Sequence, residues 1–266
     1  MFDISCKDLA NRIKSDLSNK EKVHLHIVCN DSSAGSRYVR SKCRVAEESG
    51  VIAHCHHAKS PEELKTVLDD IYESKENGPT IVQLPFDAVV DDNLSEYLTP
   101  NVDADGLTRD AWVEPATAKG VYKLLEANNL IEKRNIVIIG RSKLVGKPLA
   151  NMLMETNATV TLCHSRTKNL KEFTKVADVI VIAIGRSKFL NSDYLDPSRT
   201  VHIVDVGINV SDEGKLTGDV DPAIANDHVF VTPVPGGVGL LTTACLMENV
   251  HLLNEYSFGA FTAKGW

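Results

Sequence analysis

Ile136-Val-Ile-Ile139-Gly140-Arg-Ser-Lys-Leu-Val-Gly146-Lys-Pro148 decides the fold of this chain. A β-branched run ending in glycine, then a second glycine and a helix-starting Lys-Pro, predicts a strand, a phosphate loop and a helix. In that geometry backbone N–H groups and the positive end of a helix face a pyrophosphate. A second strand is expected over Ala158–Cys163, running into His164-Ser165-Arg166. A loop that selects NAD carries an acidic residue about twenty positions after its glycines, to hold the ribose 2′-hydroxyl. Here that place is basic and hydroxylated, so the loop is expected to accept a 2′-phosphate and take NADP.

Helices and strands alternate outward from this unit, which predicts an α/β protein. Strands are expected at 22–29, 51–56, 79–85, 178–184, 201–206 and 229–232. Helices are expected at 7–18, 36–49, 61–75, 117–128 and 241–254. Asp, Gly and Pro make residues 100–115 irregular, and a domain boundary is placed there.

The chain has 266 residues, enough for two modest domains. Its net charge of −7 disfavours a nucleic-acid partner. No apolar run reaches the length of a membrane span, and Met1-Phe-Asp-Ile-Ser-Cys lacks the pattern of a signal peptide. The six cysteines are scattered without a Cys-x-x-Cys pair, so reduced thiols and a cytoplasmic location are expected.

Several stretches carry candidate chemistry. Tyr38 and Lys42 stand one turn apart on one helix face, either as a ring and amine around a flat ligand or as part of a solvated basic face. Gln83, in Val82-Gln-Leu-Pro85, ends a predicted strand where ligands sit in open α/β sheets, or caps a loop. Asp103-Ala-Asp105-Gly106 holds a metal, binds a cationic ligand edge, or shapes a turn. Val234-Pro-Gly-Gly-Val-Gly239 implies a close backbone approach. Gly207, in Asp205-Val-Gly-Ile-Asn209, implies another. His54 and His56 share a strand face with Cys55 on the other, a poor metal set, and no metal is expected.

In this order, with Pro115-Ala-Thr-Ala-Lys-Gly120 between them, the stretches resemble the bifunctional methylenetetrahydrofolate dehydrogenase/cyclohydrolase family over about residues 22–250. The resemblance implies two domains around a cleft, the C-terminal one Rossmann-like. Residues 1–113 would be a folate-binding catalytic domain joined by a C-terminal helix over 241–266. Residues 114–240 would bind NADP. It implies a homodimer, tetrahydrofolate derivatives as substrates, and a place in one-carbon metabolism and purine biosynthesis.

The resemblance also implies roles. Tyr38 would stack on the substrate rings, Lys42 would be the catalytic amine, Gln83 would hydrogen-bond that amine, and Asp105 would hold the pterin edge. Gly140, Arg141, Ser142, Gly146, Ser165 and Ile208 would hold the cofactor, with Arg141, Ser142 and Ser165 at the 2′-phosphate. Gly236–Gly239 would lie beside the nicotinamide. The chain departs from the family pattern at Ala116, Ala118 and Leu240. Competing readings are a dehydrogenase without the hydrolase, a non-catalytic folate or NADP binder, and an NADP-dependent dehydrogenase of another substrate such as shikimate.

Overall fold

Every strand pair in the two main sheets is parallel, as alternating helices and strands require. The computed structural model describes residues 2–31, 36–210 and 214–256. It divides into two compact units, one of Asn11–Ala116 with the chain from Thr243, the other of the first ten residues with Thr117–Thr242.

The first unit carries most of α1 (Cys6–Ser18), then β1 (Val23–Cys29), α2 (Arg37–Glu48), β2 (Val51–His57), α3 (Pro61–Glu73), β3 (Thr80–Val82) and the short α4 (Ala88–Asp92). The strand order is β2-β1-β3. The central β1 is nearly all buried, and its sequence is apolar except for His24 and His26 on one face. Leu64, Leu68 and Ile71 of α3 cluster with Val28 and Val82. Ser60 caps α3 by accepting from Glu63 N, and Pro61 opens it, where a missing N–H costs nothing. The strand expected over 79–85 stops at Val82. Gln83 N still donates to Val28 O at 2.8 Å, but Pro85 has no N–H to extend a ladder.

The second unit carries α5 (Ala116–Ala127), β4 (Asn135–Ile139), α6 (Gly146–Met154), β5 (Thr159–Cys163), α7 (Leu170–Lys175), β6 (Val179–Ile182) and β7 (Val201–Asp205). A two-stranded hairpin of β8 (Asn209–Val210) and β9 (Leu216–Thr217) follows, then β10 (Val229–Val231) and the first turn of α8 (Val238–Asn254), whose remainder from Thr243 belongs to the first unit. The five-stranded sheet runs β10-β7-β6-β4-β5. Strand order reverses between β4 and β6, and the carboxyl ends of such a pair open the crevice where nucleotides bind.

The first ten residues group with this second unit, whereas the sequence reading put them in 1–113. Local contacts explain it. Ile4 N donates to Asn128 Oδ1 at 2.9 Å, Asn128 Nδ2 returns a bond to Ile4 O at 3.1 Å, and the Phe2 ring meets His202 edge-on at 5.4 Å. Helix α8 begins at Val238, three residues before the expected start, and residues 257–266 of the expected terminal helix lie outside the described residues. No helix among the described residues is long and apolar enough to cross a membrane. Cys6, Cys29, Cys163 and Cys245 are buried, while Cys43 and Cys55 meet with sulfurs 3.3 Å apart.

Candidate active site and nucleotide site

Helix α2 sets the first constellation. Ser36 Oγ accepts from Val39 N at 3.3 Å and starts the helix. The inward stripe is then Val39, Lys42, Val45 and Ala46, so Lys42 takes a position that the helical period reserves for an apolar side chain. Its Nζ donates to Asp105 Oδ2 at 2.9 Å. Tyr38, one turn earlier, leaves its ring half exposed with the Arg37 guanidinium carbon 5.8 Å from its centroid.

The acidic turn divides its labour. Asp103 is buried, and its carboxylate accepts from the backbone N–H groups of Gly106, Leu107 and Thr108. Burial pushes the Asp103 carboxyl above its ordinary range, and the Thr108 and Leu107 bonds oppose that shift. Asp103 therefore shapes the turn and Asp105 is what the turn presents. Gly106 has φ +70°, and a Cβ there would stand 2.7 Å from Val113 O, so no other residue fits. Asn249 of α8 fixes the same loop, donating to Ala104 O at 3.0 Å and Glu114 O at 2.9 Å. The sequence reading missed Asn249; a buried amide in a helix with an otherwise apolar inward face was the available signal.

The bond expected from Gln83 to Lys42 is not formed. Gln83 Nε2 donates instead to Leu84 O at 2.7 Å, and its buried Oε1 has no partner. The carboxylate of Asp105 is the stronger acceptor for an ammonium than a neutral amide oxygen, and it takes the amine.

In the second unit the loop after β4 behaves as its glycines require. Gly140 has φ +120°, and a Cβ on it would overlap Ala183 O. A Cβ on Gly146 would overlap Gly140 O. Ser142 folds the loop between them: its Oγ accepts from Val145 N at 3.2 Å and its carbonyl accepts from Lys147 N at 3.2 Å. A cavity of about 300 Å³ lies at the carboxyl ends of β4 and β6, lined by Gly140, Arg141, His164, Ser165, Ala183, Ile184 and Arg186 among others. Its basic and hydroxyl groups and close backbone suit a dinucleotide phosphate. Ser142, Gly146 and Ile208 are not in its lining; the first two build the loop, and Ile208 is 44% exposed on the turn after β7. His164 Nδ1 accepts from Arg166 N at 3.1 Å, a turn that presents Ser165. Arg186, absent from the sequence reading, adds a second guanidinium at the switch point.

Two carboxylates knit the neighbouring loops. Asp205 accepts from the backbone N–H groups of Gly207, Asp219 and Val220. Asp219 accepts from Ile184, Gly185 and Arg186 N and from Asn209 Nδ2. The close approach expected at Gly207 is to the Asp219 carboxylate, which a Cβ would overlap.

Residues 115–258 match the model of the tetrahydrofolate dehydrogenase/cyclohydrolase NAD(P)-binding domain. The bifunctional protein FolD of Lactobacillus helveticus is 42% identical over 273 residues, covering 94% of this chain and 96% of that one. The chain belongs to the tetrahydrofolate dehydrogenase/cyclohydrolase family. A solved FolD methylenetetrahydrofolate dehydrogenase/cyclohydrolase from Campylobacter jejuni superposes with a TM-score of 0.87 at 32% identity, over 96% of this chain and 98% of that one. The Trypanosoma brucei enzyme, solved with NADP and an inhibitor, superposes with a TM-score of 0.84 at 25% identity, over 96% and 97%.

Proposed function

We propose that Lys42 is the proton-transfer group of a folate site on the three-stranded unit, and that the five-stranded unit holds NADP. As a member of its family the chain is an NADP-dependent methylenetetrahydrofolate dehydrogenase and methenyltetrahydrofolate cyclohydrolase of one-carbon folate metabolism. The observation that carries the residue roles is the Lys42–Asp105 pair, an amine held on a buried helix stripe by a carboxylate on a rigid turn.

The pterin edge of a tetrahydrofolate is a row of N–H donors, and the Asp105 carboxylate is the acceptor for it. The half-exposed Tyr38 ring covers the flat ring system. When substrate donors take Asp105, Lys42 is freed, and the unpartnered Gln83 Oε1 is the acceptor that receives its ammonium. Oxidation of the methylene carbon asks only for alignment, which the turn and helix supply. Water addition to the methenyl cation and opening of the ring need a proton removed and a proton returned, and Lys42 does this. Gly140, Gly146 and Ser142 shape the dinucleotide loop, Arg141 and Ser165 face the 2′-phosphate, and Ile208 borders the cofactor. When bound, NADP⁺ accepts the hydride.

The same reading supports a cytoplasmic homodimer whose 10-formyl product feeds purine biosynthesis, with neither nucleic acid nor membrane as partner. It is tested by adding 5,10-methylenetetrahydrofolate with NADP⁺ and following reduced nucleotide and methenyl absorbance separately. Both should change, with the methenyl signal decaying to 10-formyltetrahydrofolate. Absence of either change in folded protein overturns the reading.

A further inference from the structure

Four histidines that no step above uses share one face of the three-stranded sheet. His24 and His26 alternate along β1, and His54 and His56 along β2, with His26 opposite His54 in the parallel register. His24 Nδ1 lies 2.7 Å from His54 Nε2, and Glu76 Oε2 lies 4.0 Å from the same nitrogen. These three donor atoms all fall within 4.8 Å of one another.

We propose that His24, His54 and Glu76 form a binding site for a divalent transition metal ion of the Zn²⁺ class, leaving a fourth position for water. Two imidazole nitrogens and one carboxylate oxygen are a donor set that favours Zn²⁺, Co²⁺, Ni²⁺ or Cu²⁺ over Mg²⁺ and Ca²⁺. Tetrahedral bonds of about 2.0–2.2 Å put donor atoms roughly 3.3–3.5 Å apart, so the imidazole pair opens by about 0.6 Å, and the carboxylate closes by a similar amount on His54 and by no more than about 1.5 Å on His24. Both moves are small rotations of side chains that have room, since the His54 side chain is 27% exposed and that of Glu76 is 63% exposed.

The surroundings hold these donors in place. His26 is buried, and its Nε2 donates to the Glu76 carbonyl at 2.8 Å, which fixes the residue that carries the carboxylate. That bond leaves His26 Nδ1 to accept from His56 Nε2 at 2.9 Å. The His26 ring also lies nearly parallel to His54, 4.9 Å between centroids at 15°, and sets the plane of that ligand. Ser74 Oγ accepts from Glu76 N at 3.1 Å, and a Cβ on Gly78 would stand 3.0 Å from His24 O, so the turn presses against β1. The bound ion ties β1, β2 and this turn together.

The full chain, stripped with a chelator, is titrated with Co²⁺ and with Zn²⁺. One equivalent of Co²⁺ should bind with visible bands of four-coordinate nitrogen and oxygen ligation and without thiolate charge transfer. Zn²⁺ should displace it and raise the melting temperature. His54→Ala should lose saturable binding, and Glu76→Gln, on an exposed turn that keeps the fold, should weaken it at least about tenfold. Cys43→Ser/Cys55→Ser should bind as the parent does, which separates this site from the neighbouring thiols. No saturable binding by the parent chain, unchanged binding in Glu76→Gln, or loss of binding with the two thiols overturns the proposal.

Discussion

Lys42 and Asp105 form a 2.9 Å ion pair in which the side chains are only 10% and 17% exposed. A pair so sheltered is screened less by solvent and salt than a surface bridge, and removing one partner leaves the other charge poorly solvated. It joins the amine proposed for proton transfer to the carboxylate proposed for the substrate, so binding and chemistry share one contact.

Asp105→Asn keeps the shape of the turn and removes the anion. A charge-assisted hydrogen bond contributes about 1.5–3 kcal/mol, so kcat/KM should fall roughly 10- to 100-fold for the dehydrogenase and the cyclohydrolase alike. Steady-state kinetics of both reactions check this. A loss confined to hydrolysis would show that Asp105 only positions Lys42 and does not bind the substrate.

Arg141→Ala removes one guanidinium from the cavity at β4 and β6. The ratio of kcat/KM for NADP⁺ over NAD⁺ should fall at least about tenfold, mainly through KM for NADP⁺, since a single charged contact of this kind carries about 1.5–3 kcal/mol. An unchanged ratio would move 2′-phosphate recognition away from Arg141, with Arg186 the next residue to test.

His251 is buried on α8, and burial, with the Lys20 charge adding to it, holds its pKa below the ordinary value; the Ser49 carbonyl and Glu255 pull the other way. The unfolded chain takes up this proton near pH 6.5, while the folded ring resists it. Stability tied to His251 is therefore complete above about pH 6.5 and is lost as pH falls below it. His26 and His56 are also held low by burial and contribute in the same direction. Urea midpoints between pH 7.5 and 5.5 should drop for the parent and drop less for His251→Phe. Equal drops would show that His251 titrates normally in the fold.

The nucleotide unit was legible because its signals are local. The run Ile136–Ile139 is buried on both faces, and its two glycines are demanded by backbone overlaps within a few residues or with one neighbouring strand. Lys42 was legible as a candidate because i and i+4 positions share a helix face. What the sequence hid depends on competition between partners. Asp103 and Asp105 are alike in type, and only the fold decides that one accepts three backbone N–H groups while the other meets Lys42. Gln83 lost the amine to a carboxylate some twenty residues away in sequence. Short elements such as α4 and α7 are too brief to show a period. His54 and His56 were seen to share a face, but the matching His24 and His26 come from a strand pairing that no local pattern encodes.

The most direct test of the account uses Lys42→Met, which keeps the bulk of the stem and removes the amine. In folded protein, hydrolysis of methenyltetrahydrofolate should fall at least about a hundredfold, the lower bound for losing a general acid–base group. Reduction of NADP⁺ by methylenetetrahydrofolate should remain measurable, with the methenyl intermediate accumulating. Hydrolysis at the parent rate would contradict the assignment of Lys42 as the group that moves the proton.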